Sequence, residues 1–137
     1  MKYAIILLAI AGMCVSARAL QIHYSTGTQP CSINDVWDCG VVNHSKYSVL
    51  LGVPVALMGI VGYGMLIVTT VLKALRLTAV GAIAGVGFAV YLAHIEKDVL
   101  GAWCQYCVAS LIMITVIAVL ALVQLTRRSY QRERATV

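Results

Sequence analysis

Cys104 and Cys107 stand three apart in "GAWCQYCVAS", directly ahead of the apolar run 108–125. A C-x-x-C pair can close as a disulfide, open as a dithiol, or supply half of a four-thiolate zinc site. Three further cysteines complete the set of five. Cys31 and Cys39 lie in the polar stretch "CSINDVWDCG". Cys14 lies in the first apolar segment, where a free thiol behaves as a small hydrophobe. Static disulfides suit Cys31 and Cys39 but suit Cys104 and Cys107 poorly, because a C-x-x-C bridge closes a tiny loop and constrains little of the unfolded chain. A four-thiolate zinc site would need the unusual C-x7-C spacing as its other half. Redox chemistry is the third reading. A cysteine at a helix N-terminus meets the positive end of the helix dipole, which favours its thiolate. Cys104 would sit there, with Cys107 one turn deeper on the same face. Such a pair can exchange a disulfide with a thiol outside the membrane and pass electrons to an acceptor in the bilayer.

The elements that must hold these cysteines are apolar. The chain is 61% hydrophobic and 11% charged, against about a quarter charged in a soluble domain. It therefore reads as an integral membrane protein with one compact unit and no second domain. Runs 47–72, 77–95 and 99–126 carry no Lys, Arg, Asp or Glu, and each reaches the roughly 20 residues a span requires. A fourth run, 3–22, is interrupted only by Arg18, which can snorkel. The expected fold is all-α: a four-transmembrane-helix bundle with spans at about 3–22, 51–72, 77–96 and 103–126. An outer loop would occupy about 23–50 and a basic tail 127–137. "SARA" reads equally well as a signal-peptide cleavage site after Ala19.

Lys2, Lys73, Arg76, Arg127, Arg128, Arg132 and Arg134 fall at one set of span ends. The positive-inside rule puts that side, with both termini, in the cytoplasm. Cys31, Cys39, Cys104 and Cys107 then face outward, where disulfides persist. The tail "TRRSYQRERATV" needs no role beyond fixing topology and touching anionic lipid, and nucleic-acid binding is not expected. Gly81 and Gly85 form a small-residue seam for close helix contact, with 59–64 as its expected counterpart.

One ordered pattern connects these features. It runs from a loop C-x7-C (Cys31, Cys39) to Ser45 and Tyr47, then Gly52 and Pro54 opening a helix, then a C-x-x-C at the head of the last span. In order, spacing and side it resembles the vitamin K epoxide reductase family, over nearly the whole chain. The likeness is to bacterial members. It implies a four-helix membrane enzyme in the bacterial inner membrane, carrying electrons from a thioredoxin-fold, DsbA-like protein to a quinone, ubiquinone or menaquinone. Only residues 127–137 follow the last span, so the implied partner is a separate protein. The family keeps its first span, which favours a retained helix over a signal peptide.

By the same resemblance, Cys104 and Cys107 are the active-site pair beside the quinone. Cys31 and Cys39 are the shuttle pair that meets the partner, and Ser45 matches the family's loop serine. Leu111 stands where animal members carry a tyrosine, so the likeness implies reduction of a plain quinone and leaves vitamin K epoxide an open question as a substrate. In DsbB-type oxidases the C-x-x-C comes first and the wider pair second, the reverse of the order here. Asn43, Ser45 and Tyr47 are the candidate quinone-binding residues by depth, with no metal expected. Gly40 and the polar run around Asn43 are the expected hinge of the shuttle loop. A disulfide-stapled membrane scaffold or a four-cysteine metal-binding protein remains the alternative.

Overall fold

The computed structural model describes residues 1–27 and 31–136. Helix α1 spans Lys2–Tyr24. The connection after it holds a short helix α2, Cys39–His44, and a 3-10 turn, Lys46–Ser48. A two-residue hairpin follows, with β1 (Val49–Leu50) antiparallel to β2 (Val53–Pro54). Pro54 caps α3 (Val55–Val71), a position where its missing N–H costs no helical hydrogen bond. Helix α4 covers Leu75–Ile95 and runs into a π-helical turn, Glu96–Leu100. Helix α5 covers Gln105–Ala135.

Helix α1 packs on α3 and α5, and α4 packs on α5 and α3. Ile5, Ala9, Tyr63, Leu66, Ala82 and Ile117 meet in the core. Leu7, Met65, Val80 and Ile112 point outward and are exposed, as a bundle bathed in lipid requires. Helix α1, α4 with its π turn, and α5 are each long and apolar enough to cross a membrane. Helix α3 is apolar but has only 17 residues, about 25 Å of rise against a hydrocarbon core of about 30 Å.

The element type expected from the sequence holds, with corrections at the boundaries. The second apolar helix begins at Val55, because Leu51 (φ 53°) and Gly52 (φ 81°) turn the hairpin ahead of it. The basic stretch after residue 126 continues α5 as helix to Ala135. The outer loop is partly structured by α2. The glycine seam also differs from expectation. Gly81 lies against Leu66 of α3, but Gly85 lies against Ile114 of α5 and Gly59 against Ser16 of α1. The segment 59–64 therefore serves more than the α3–α4 contact. On α1, a Cβ at Gly12 would overlap the Tyr63 ring. That close approach lets the Tyr63 hydroxyl reach the Ser110 hydroxyl on α5 at 2.8 Å.

Candidate active site

The geometry is set where α4 hands over to α5. After the π turn, Gly101 adopts a left-handed conformation (φ 63°), which glycine reaches without a Cβ clash. The chain then runs alongside the loop. The Trp103 N–H donates to the Val36 carbonyl at 2.7 Å, and the Asp38 N–H donates to the Trp103 carbonyl at 3.1 Å. The Asn34 side chain accepts from the Val36 and Trp37 amides, which tightens the approach to that bridge. Two segments more than sixty positions apart in sequence are thereby pinned together, each one residue short of a cysteine.

Cys31 and Cys39 form a disulfide. Cys39 opens α2, and Cys104 is the N-cap of α5. Cys39 and Cys104 are fully buried and share one cluster with Cys31, Ile22, Val42 and Ala102, against which Cys107 packs. Asn43 joins the two sites: its Nδ2 donates to the Cys39 carbonyl at 2.9 Å and contacts the Cys104 Sγ at 3.6 Å. Glu96, 2% exposed, accepts the Cys104 N–H at 3.0 Å. The Cys107 thiol beside Cys104 holds the Cys104 thiol below its ordinary range. Burial opposes this, the amides of Cys107 and Tyr106 assist it, and the nearby Glu96 charge works against it. The dipole expectation for Cys104 thus finds its cause in specific neighbours as well as in the helix end.

Asp38 is the clamp on the loop. It accepts from the Ser32 hydroxyl, next to Cys31, and from the Gly40 and Val41 amides at the start of α2. The Ser32 hydroxyl, then the Val41 amide, lower its carboxyl from the ordinary 3.8, with burial opposing and the Gly40 amide assisting. A depressed carboxyl contributes stability that is complete above its unfolded pKa and is lost as pH falls through the folded value. Asp38→Ala should therefore speed reduction of the Cys31–Cys39 bridge about fivefold, matching a lost helix cap of about 1 kcal/mol. The unaltered protein should show the same loosening only at pH below the ordinary carboxyl range. A phosphine reductant, active in acid, with mass-spectrometric scoring of free thiols, checks both.

Beneath the cysteines a cavity of about 250 Å³ opens between α1, α3, α4 and α5. Met58, Phe88, Leu92 and Ile114 give it apolar walls, and Cys107 faces it. Of the sequence candidates, Asn43, Ser45 and Tyr47 all line this cavity. The Ser45 hydroxyl donates to the Val42 carbonyl at 2.8 Å, so toward the cavity it offers lone pairs. The expected hinge is instead helix: Gly40 and Asn43 lie within α2, with Asn43 buried. His94 pairs with Asp98 at an exposed position, away from the cavity. Cys14 is exposed on the bundle surface.

Two residues at the site were not singled out from sequence. His23 lines the cavity, its Nδ1 2.6 Å from the Asn43 carbonyl and 3.3 Å from the Ser48 hydroxyl. Glu96 lines it as well.

An apolar helical bundle with a disulfide and a C-x-x-C pair in one buried cluster has the build of a membrane thiol–disulfide oxidoreductase. The chain belongs to the vitamin K epoxide reductase family, whose model matches residues 3–122. No curated protein matches the chain. Enzymes of the family use quinones. The cavity fits such a group: its walls are mostly apolar, and Asn43, His23, Glu96 and Cys107 are among the residues that line it. Its volume suits the flat ring rather than a whole drug-sized ligand.

Proposed function

We propose that the protein oxidises a separate thioredoxin-fold, DsbA-like dithiol protein and delivers the electrons to a membrane quinone, ubiquinone or menaquinone. It would do so in a bacterial inner membrane, with both termini cytoplasmic and both cysteine pairs extracytoplasmic. One arrangement carries the reading. The Cys31–Cys39 disulfide packs in the same cluster as Cys104, while Cys107 turns to an apolar cavity. That is the order a relay needs, from an outer thiol to an acceptor in the bilayer.

Each transfer is thiol–disulfide exchange, which requires a thiolate, a reachable sulfur and a good leaving group. A partner thiolate opens the loop bridge at Cys31, the end beside exposed Ser32. Cys39, linked to Cys104 through Asn43, then attacks the Cys104–Cys107 bridge at Cys104. The partner's second thiol then releases Cys31, which attacks Cys39 and frees Cys104. The loop bridge is thereby restored, and the inner pair is left as a dithiol that must give up two electrons and two protons as its own bridge closes again. A quinone, when bound, supplies the two-electron, two-proton acceptor. Asn43, Ser45, Tyr47 and His23 would orient it, and the apolar walls would keep water from the reacting sulfur. The four-thiolate metal reading is weakened because Cys31 and Cys39 are bonded to each other.

The test is oxidation of a reduced thioredoxin-fold dithiol protein by the purified, lipid-embedded enzyme with added quinone. Quinone absorbance should fall in step with partner thiols. A C-x-x-C pair whose redox state ignores added quinone would leave a stapled scaffold as the better description.

A further inference from the structure

Glu96 is a carboxylate where an apolar bundle has every reason to avoid one. It is 2% exposed, accepts the Cys104 amide at 3.0 Å, and lines the cavity together with Cys107, which stands three residues past that amide at the head of α5. Its neighbours Lys97 and Asp98 are exposed, so the π turn inserts this one charged side chain and leaves the others in the polar region. Capping a single amide does not require a carboxylate, since any neutral carbonyl would serve, and burying an acid without need is costly.

We propose that Glu96 is the proton partner of Cys107. Its carboxylate takes the thiol proton when Cys107 becomes the thiolate that closes the bridge to Cys104, and the carboxylic acid returns that proton when the bridge is opened. In this step the S–H bond breaks and an O–H bond forms. The negative charge moves from oxygen to sulfur, and no electrons change hands. A bare thiolate in an apolar cavity is unfavourable, so a leaving sulfur at this depth needs a proton supplied within the cavity. The other titratable groups facing this region are Cys104 and Tyr106 at the head of α5, His23 of α1, Tyr47 of the 3-10 turn and Tyr63 of α3. Among the described residues lining the cavity, His23 is the sole basic side chain.

This inference rests on Cys107 being the inner redox cysteine, but its test uses neither partner nor quinone. In a Cys14→Ala, Cys104→Ala protein, Cys107 is the only free thiol. Its alkylation by iodoacetamide, scored by mass spectrometry across pH, reports the thiolate. If thiol and carboxyl share one proton, the rate rises in two steps separated by a plateau. Glu96→Gln keeps an acceptor for the Cys104 amide but cannot take a proton. It should collapse the profile to a single alkaline step and slow alkylation several-fold at neutral pH. A carboxylate acting only as a nearby negative charge predicts the opposite sign, faster alkylation in Glu96→Gln. A purely structural one predicts no change. Either result, or a single step in the Glu96-containing protein, overturns the proposal. The Glu96-containing profile decides the matter even if the glutamine variant does not fold.

Discussion

Cys107→Ser should stop quinone-dependent oxidation of the partner at the uncatalysed rate and accumulate a mixed disulfide between Cys104 and Cys39. The reason lies in what surrounds each sulfur. Cys104 is fully buried in the cluster that holds the loop bridge, and its thiol is held below the ordinary range by its neighbours. In the serine variant its thiolate can attack the loop bridge at Cys39, freeing Cys31. Cys107 is the thiol that competes for Cys104 by displacing Cys39, and serine cannot do this, so only Cys31 is left to reverse the link. Non-reducing proteolysis followed by mass spectrometry would identify the joined peptides. A loop peptide bonded to Cys107 in Cys104→Ser, with none on Cys104 in Cys107→Ser, would reverse the roles of the pair. No cross-link in either folded variant would favour two static bridges.

Burial makes this result sharper than helix geometry alone would. Depth along α5 orders the two sulfurs, but it makes Cys104 the freely exposed one. In the structure Cys104 is the enclosed sulfur, covered by the loop, and Cys107 is the less buried of the two because it opens to the cavity. Attack from the loop on Cys104 therefore needs little loop movement. Release of the loop toward a partner is the larger motion, and it is held back by the Asp38 clamp and the Val36–Trp103–Asp38 hydrogen bonds.

The parts legible in the sequence are those whose signals are local. Uncharged apolar runs announce helices, and a C-x-x-C ahead of such a run falls at a helix N-terminus. Pro54 marks a helix start for the same reason. The site itself is non-local. "EKDVL" reads as a charged connection between two helices, and nothing in it says which acid turns inward. That choice is made by the π turn and by Gly101, which bring Glu96 under the Cys104 amide. His23 sits at the end of a hydrophobic segment and acquires meaning only when α2 returns over it. The bridge between Val36–Asp38 and Trp103 joins distant segments of irregular sequence, which carry no periodicity to reveal a pairing. The six-residue α2 has a legible cap in Asp38, but glycine and asparagine within it suggest a hinge until Asn43 is seen buried between the two cysteines.

Cys31→Ala and Cys39→Ala should each abolish oxidation of the partner protein while sparing oxidation of dithiothreitol, whose quinone-dependent rate should stay within a few-fold of the unaltered enzyme. Cys31, Cys39 and Cys104 are all buried in one cluster, so a folded partner must displace part of the loop. In the proposed relay it meets the loop bridge, beside exposed Ser32, before the inner pair that the loop covers. A small dithiol has no such restriction. Losing the Cys31–Cys39 bond also removes the cross-link that helps keep the loop seated, which eases the small dithiol's path to Cys104. Cys14→Ala should leave both activities intact, because Cys14 is exposed on the bundle surface outside both buried clusters. The informative quantity is thus the ratio of protein-driven to dithiothreitol-driven rates, measured for all five single variants by quinone absorbance. Loss of both activities in Cys104→Ala and Cys107→Ala, with loss of one in the loop variants, separates the inner pair from the shuttle. Full protein-driven activity in either loop variant would remove the shuttle from the scheme, since the partner would then have a direct path to the inner pair that the closed loop does not offer.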